Sequence, residues 1–196
     1  YNFMNKIELC EALNYVTALR EKRSKMASII LADPKLVPIL ISIIKDDINP
    51  VSCKASWILE YVANKDLKPI LIYINNFITI LKSISLESSI RPAAKICELL
   101  VLNEFSEKNK ICDPKLNNEH LNAVTEAAFD WLIGEHKIAP KAYSITILLW
   151  LGFKIDWIHP ELIPILKQNY EGGSAAYKAR ARQTLKILEK MSSNKD

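Results

Sequence analysis

The sequence predicts an all-α fold of about five stacked helical hairpins, roughly ten helices in a single domain over residues 1–196. Three observations point there. Glycine occurs only 4 times in 196 residues, too seldom for the positive-φ turns that an all-β chain needs. A helix-start pattern repeats: Asp33-Pro34-Lys35-Leu36-Val37-Pro38-Ile39-Leu40 parallels His159-Pro160-Glu161-Leu162-Ile163-Pro164-Ile165-Leu166, and Leu67-Lys68-Pro69-Ile70-Leu71 after Asp66 is a shorter copy. A small residue followed by core positions at +3 and +4 also recurs, as Ala27/Ile30/Leu31, Ala55/Ile58/Leu59, Ala93/Ile96/Cys97, Ala142/Ile145/Thr146 and Ala181/Thr184/Leu185. That is the one-face spacing of an amphipathic helix, with the alanine admitting a close neighbour. The alanines lie 28, 38, 49 and 39 residues apart, irregular periods that suit a helical solenoid with loop insertions.

The hairpins are expected at about 4–32, 34–63, 67–104, 117–152 and 158–191. The first divides into helices near 4–15 and 18–32. Asp33 then suits an N-cap, because a carboxylate accepts from the free backbone N–H groups of a first turn. Pro34 and Pro160 suit the first helical position, where no N–H partner is lost, and Pro38 and Pro164 sit where they bend that turn. The second hairpin divides into 34–45 and 50–63, the third, capped by Asp66, into 67–82 and 88–104. A polar loop beginning Ser106-Glu107-Lys108-Asn109-Lys110 fills 106–116. The fourth hairpin divides into 117–133 and 137–152, the fifth into 158–169 and 174–191. The polar tail after Met191 is expected to fray.

Bulk composition narrows the function classes. Hydrophobic residues at 49% and charged residues at 24% support a packed core and leave disorder to the ends. A net charge of +4 falls short of the basic excess that alone signals nucleic acid. Cys10, Cys53, Cys97 and Cys112 are scattered, with no C-x-x-C and no His at metal-ligand spacing. They read as reduced thiols of a cytoplasmic protein, and no metal or cofactor is expected. No apolar run reaches the roughly 18 residues that span a bilayer, and no signal-peptide pattern opens the chain, so no membrane partner is expected. Met4 is read as the natural start, after Tyr1 to Phe3.

At residues 34–63 the pattern resembles a HEAT repeat, which runs L-x-P-x-L in its first helix, an Asp-containing turn, then V-R-x-A-A. Leu36, Pro38 and Leu40 match the first helix, Asp46-Asp47-Ile48-Asn49-Pro50 the turn, and Val51, Lys54 and Ala55 the second helix. Ile90-Arg91-Pro92-Ala93-Ala94 is a close copy of V-R-x-A-A. Ala139-Pro140-Lys141-Ala142 and Ala176-Tyr177-Lys178-Ala179-Arg180-Ala181 are looser ones. The resemblance covers about residues 18–190 and implies a right-handed α-α superhelix, a short HEAT-like solenoid of the HEAT/armadillo kind. The chain also resembles a family of short bacterial HEAT-like proteins without a characterised activity. Lys54-Ala55-Ser56-Trp57-Ile58-Leu59-Glu60, Phe129-Asp130-Trp131-Leu132 and Asp156-Trp157-Ile158-His159-Pro160 carry that likeness. Some members bear the label adenylosuccinate lyase. The Ser-rich loop of that lyase superfamily, G-S-S-x-M-P-x-K-x-N-P, does not occur in this sequence.

A basic residue stands beside each repeat's alanine: Arg23 and Lys25, Lys54, Arg91 with Lys95, Lys141, then Lys178 and Arg180. HEAT second helices line the concave face, so this column would hold an acidic peptide or a phosphate backbone. Trp57, Tyr143 and Tyr177 beside it would anchor a partner or stack on bases. The plainer reading is a ladder in which Asp47, Glu87, Glu135 and Glu171, ahead of the second helices, pair with the column. Lys178, Arg182 and Lys186 share one face of the last helix. Gly172-Gly173-Ser174 ahead of it would make an anion-accepting N-terminus, although a solvated face explains the same charges. His120, His136 and His159 are expected at surface or capping positions. Trp131, Trp150 and Trp157 with Asp130 and Asp156 are similar in composition to the sites of HEAT-like alkylation-repair glycosylases. The expected function is a binding scaffold whose concave face takes another protein or peptide, with no catalytic residues assigned. The alternatives are DNA binding in the manner of those repair proteins, and an enzyme or small-ligand binder with a pocket between hairpins.

Overall fold

The computed structural model describes residues 4–106 and 116–193. Among them are eleven helices and no strand. They are α1 (Lys6–Leu13), α2 (Arg20–Ala32), α3 (Leu36–Lys45), α4 (Val51–Lys65), α5 (Lys68–Ile72), α6 (Ile74–Ile80), α7 (Glu87–Phe105), α8 (Asn118–Ile133), α9 (Ile138–Leu151), α10 (Ile158–Gln168) and α11 (Ala175–Ser193). The expected loop at 107–115, with Cys112, lies outside the described residues. No described helix is long and apolar enough to cross a membrane.

The eleventh helix comes from a break in the span expected as one helix over 67–82. Tyr73 carries φ −107° and ψ 28°, ending α5 and opening α6. The run Ile70-Leu71-Ile72-Tyr73-Ile74-Asn75-Asn76 is rich in residues of weak helix propensity, and a break there is cheap. Helix starts also shift. Asp33 does not cap α3 directly. Its carboxylate accepts from Lys35 N–H at 3.3 Å and its carbonyl from Leu36 N–H at 3.0 Å, so Pro34 stands in a turn ahead of the helix. Asp66 does the same for Lys68 at 3.0 Å, while Leu67 is the N-cap of α5. Pro160 is the third residue of α10, which opens at Ile158.

Packing follows two rows. α2, α4, α7, α9 and α11 form one, each touching the next; α1, α3, α6 and α8 form the other, α3 with α4 and α8 with α9 join the rows, and α10 packs on α9 and α11. The five marker alanines sit in these contacts: Ala27, Ala55, Ala93, Ala142 and Ala181 are all buried. A methyl in place of a longer side chain is what lets the backbones of neighbouring second helices approach. One continuous apolar core runs from Leu9 to Ala181.

The turns are tied down by side chains. Ser52 is wholly buried, donates to Ile43 C=O at 2.5 Å and accepts from Ile48 N–H at 2.9 Å, closing the α3–α4 turn. Asp47, at φ 51°, takes a left-handed conformation that Asp tolerates. Its carboxylate accepts from Ser85 N–H at 2.9 Å and from the Ser85 hydroxyl at 2.5 Å, in the α6–α7 turn. One hairpin later, Glu87 accepts from Lys137 N–H at 3.2 Å and meets His136 Nδ1 at 2.5 Å in the α8–α9 turn. Burial alone would raise the Glu87 carboxyl, but the His136 and Lys137 contacts outweigh it and hold its pKa below the ordinary value.

Candidate functional site

The basic column lies along the row from α2 to α11, and most of it is engaged within the protein. Arg91 of α7 forks onto the Glu60 carboxylate of α4, with contacts of 3.0 and 2.6 Å. Glu98 of α7 gathers two cations, Lys95 at 2.8 Å and Arg180 of α11 at 2.9 Å. Arg180 also donates to the Thr146 hydroxyl of α9. The Glu98 side chain is 3% exposed and that of Glu60 10%. Buried carboxylates persist only with such partners, so these pairs clamp α4 to α7 and reach from α7 to α11 across α9.

Ion pairs do engage part of the column, but none of the four acids expected to pair with it takes part in them. Asp47 and Glu87 are spent on the next turn, as described above. Glu60 and Glu98 sit inside the second helices, where the cations of a neighbouring helix reach them without leaving the packed face. Glu135 and Glu171 form no ion pair among the described residues.

The aromatic members of the column are partly occupied. Arg23 lies over the Trp57 ring, 4.2 Å from its centroid. The Trp57 indole N–H donates to Ser88 C=O at 3.2 Å. Pro92, four residues on, has no N–H to offer that carbonyl, so the indole of α4 supplies the missing donor. Lys54 Nζ donates to Asn14 C=O at 3.3 Å, and Lys95 Nζ stands 5.3 Å from the Tyr143 ring. Tyr177 is not displayed at all. It is 5% exposed, because positions 177, 181, 184 and 188 form the buried stripe of α11. Lys178 and Arg182 turn to Tyr170, Lys178 at 6.0 Å from its ring and Arg182 Nε at 3.1 Å from its hydroxyl. Lys141 is half-buried and has no hydrogen-bond or ion-pair partner among the described residues.

The three histidines sit at helix ends. His120 accepts from Asn117 N–H at 3.2 Å through Nδ1 and meets Asn75 Oδ1 at 2.6 Å through Nε2, bridging α8 to α6. Burial holds its pKa below the ordinary value, with Glu119 offsetting part of the shift. His159 Nε2 donates to Leu149 C=O at 2.8 Å, satisfying a carbonyl at the end of α9. Of the tryptophan-and-acid set, Trp131, Trp157 and Asp130 come together in one groove. Trp150, packed edge-on against Phe153, and Asp156 lie outside it.

That groove, of about 850 Å³, opens between α8 and α10. Both helices pack on α9, yet they make at most marginal contact with each other. The gap is bridged by Phe129 and Trp157, stacked with centroids 5.5 Å apart at 18°. Trp157 is 54% exposed and Ile133 60%, an apolar surface unusual for side chains this large. Around it stand Glu126, Asp130 and Glu161. Glu126 pairs with Lys82 across the opening, and its hydrogen bond and charge, with a smaller share from Asp130, raise the Lys82 pKa. Asp130 and Glu161 have no ion-pair partner among the described residues. The sequence groups Trp131, Trp157 and Asp130 by composition alone, because the groove that holds them depends on a contact that two helices fail to make.

Cys10, Cys53 and Cys97 are free thiols, and burial pushes the Cys97 thiol well above its ordinary pKa, which keeps it protonated and unreactive. Among the described residues no group of three or more His, Cys, Asp or Glu side chains is placed to hold a metal ion. No family model, no curated protein and no solved structure matches the chain.

Proposed function

We propose that the chain is a short HEAT-like array, a right-handed α-α superhelix, that works as a protein-interaction module. Support for the array comes from the row of second helices, each on the next, and from Asp47 and Glu87, each reaching the following turn. The α8–α10 groove is the docking surface in this reading, and its partner is a basic, partly apolar peptide segment. The observation that carries it is the Phe129–Trp157 stack, open to solvent and flanked by the unpaired carboxylates of Asp130 and Glu161. Exposed aromatics are the usual anchors of interfaces, and carboxylates around them select positive charge. The expected use of the column as the docking face has less support, since Arg91, Lys95 and Arg180 are committed to buried acids.

DNA binding is the second reading, favoured by Lys178, Arg182 and Lys186 at i,i+4 spacing along α11. Fluorescence anisotropy separates the two. The probes are a labelled Lys/Leu amphipathic peptide, its Glu/Leu counterpart and a short DNA duplex, at about 50 and 200 mM salt. The peptide reading expects the basic peptide alone to bind, with loss in Trp157→Ala and weakening in Asp130→Asn. DNA binding that collapses between those salts and disappears in Arg182→Ala would replace it. Equal binding of both peptides would remove the charge argument.

A further inference from the structure

The free face of α11 is the chemical complement of the α8–α10 groove. Tyr177, Ala181, Thr184 and Leu188 form the buried stripe of this helix, which packs on α9 and α10. On its opposite side Ala175, Ala179, Arg182, Lys186 and Lys190 are exposed, at the spacing that puts them on one face. Arg182, Lys186 and Lys190 follow one another at i,i+4 and have no ion-pair partner among the described residues. Glu189 is the one acid in α11. Ala175 and Ala179 leave the first turns of that face narrow and apolar.

The groove carries the opposite charge. It offers the Phe129–Trp157 stack with the unpaired carboxylates of Asp130 and Glu161, while Glu126 is engaged by Lys82. A guanidinium lies well over an open indole face, and the methylene stems of lysines cover apolar surface. A basic helix with few large apolar side chains can therefore still cover Trp157. α11 cannot turn this face to the groove of its own chain, because its buried stripe is the side that meets its own α9 and α10. No α11 residue lines the groove, so each copy presents both surfaces at once.

We propose that the partner of the α8–α10 groove is a second copy of this chain, whose α11 lies along the groove with its cations against Trp157, Asp130 and Glu161. The partner so assigned rests on the groove being the docking surface, and names the basic segment that enters it. The contact joins two different surfaces, so copies add head to tail. One helix in one groove buries less than the roughly 1,200 Å² at the lower bound of stable specific interfaces. The association is accordingly weak and reversible, and charge attraction makes it sensitive to salt.

The test is sedimentation velocity of the whole chain from about 10 to 500 µM, at about 50 and 200 mM salt. The expected result is a mean mass that rises with concentration at the lower salt and falls back toward the monomer at the higher. Trp157→Ala should stay monomeric, as should Arg182→Gln with Lys186→Gln, each with the circular dichroism of the wild type. Mixed in equal amounts, these two variants should form a pair, since one keeps its α11 and the other its groove. Asp130→Asn, a milder change that keeps the stack, should weaken the association about fivefold. A wild-type chain that stays monomeric at every concentration overturns the proposal, as does association that both variants retain or that their mixing fails to restore. A monomeric chain that binds the Lys/Leu peptide through Trp157 overturns self-association and leaves the peptide reading standing. Complementation by the two variants in a chain that ignores the peptide supports the second copy and removes the free peptide as partner.

Discussion

Glu98 and Arg180 stand 82 positions apart in the chain and meet at 2.9 Å, over the helix that separates α7 from α11. Lys95 reaches the same carboxylate from one turn away. The Glu98 side chain is almost wholly buried, so it contributes as part of a clamp and becomes a liability once a partner is lost.

Glu98→Ala is expected to lower the unfolding free energy by about 3 kcal/mol, because it strands two cations against a packed face. Urea denaturation measures it, and a loss below about 0.5 kcal/mol would mean that Arg180 and Lys95 relax into solvent at no cost. Replacing Glu98 and Arg180 together by Met should recover much of the loss, since an apolar pair needs no desolvation.

Asp47 has two duties, a left-handed backbone and the grip on Ser85. Asp47→Ala forfeits both and should cost about 2 kcal/mol. Asp47→Asn keeps a residue type that tolerates φ 51° and one acceptor oxygen, so thermal denaturation should rank it between the wild type and Ala. Equal melting temperatures for the two variants would show that the turn-to-turn contact adds nothing.

His120 predicts the acid side of the stability profile. Its folded pKa lies below its ordinary value of 6.5, first through burial. The unfolded chain therefore takes the proton more readily. The stabilisation from a neutral ring is complete above 6.5 and is lost as pH falls from there through the folded value. Chemical denaturation between pH 7.5 and 5.5 should show this fall in wild type and a flatter profile in His120→Gln; parallel profiles would remove His120 as the cause.

Gly152 lies against the His159 ring, and an added Cβ would stand 2.1 Å from its Cδ2. Gly152→Ala must push that ring off the Leu149 carbonyl, an expected cost of about 2 kcal/mol. In Gly152→Ala with His159→Ala the clash is gone, and calorimetry should show less than the sum of the two single losses.

The alanine register was legible because one spacing served all five second helices, and each of its alanines is buried. Glu60 and Glu98 follow the same register. Each stands five residues after its alanine, Ala55 and Ala93, so the carboxylate repeats with the core. An acid within a helix is ordinarily solvated, so this spacing alone does not mark a buried pair. The break at Tyr73 and the α8–α10 groove were not legible. One depends on a local conformation, the other on the relative lengths and placing of two helices separated by a third. The burial of Tyr177 follows from lying four residues before Ala181 on the core stripe of α11, so standing next to Lys178 in the sequence does not put it on an open face.

The two rows of helices also set how the chain can acquire its structure. Nearly every helix packs on one that is next or next but one along the chain, so few large loops have to be closed before a contact forms. Topologies of this kind fold quickly for their size. During synthesis, the surface formed by α3 and α4 is complete before α7 emerges to cover it, so each hairpin can serve as the template on which the following one settles.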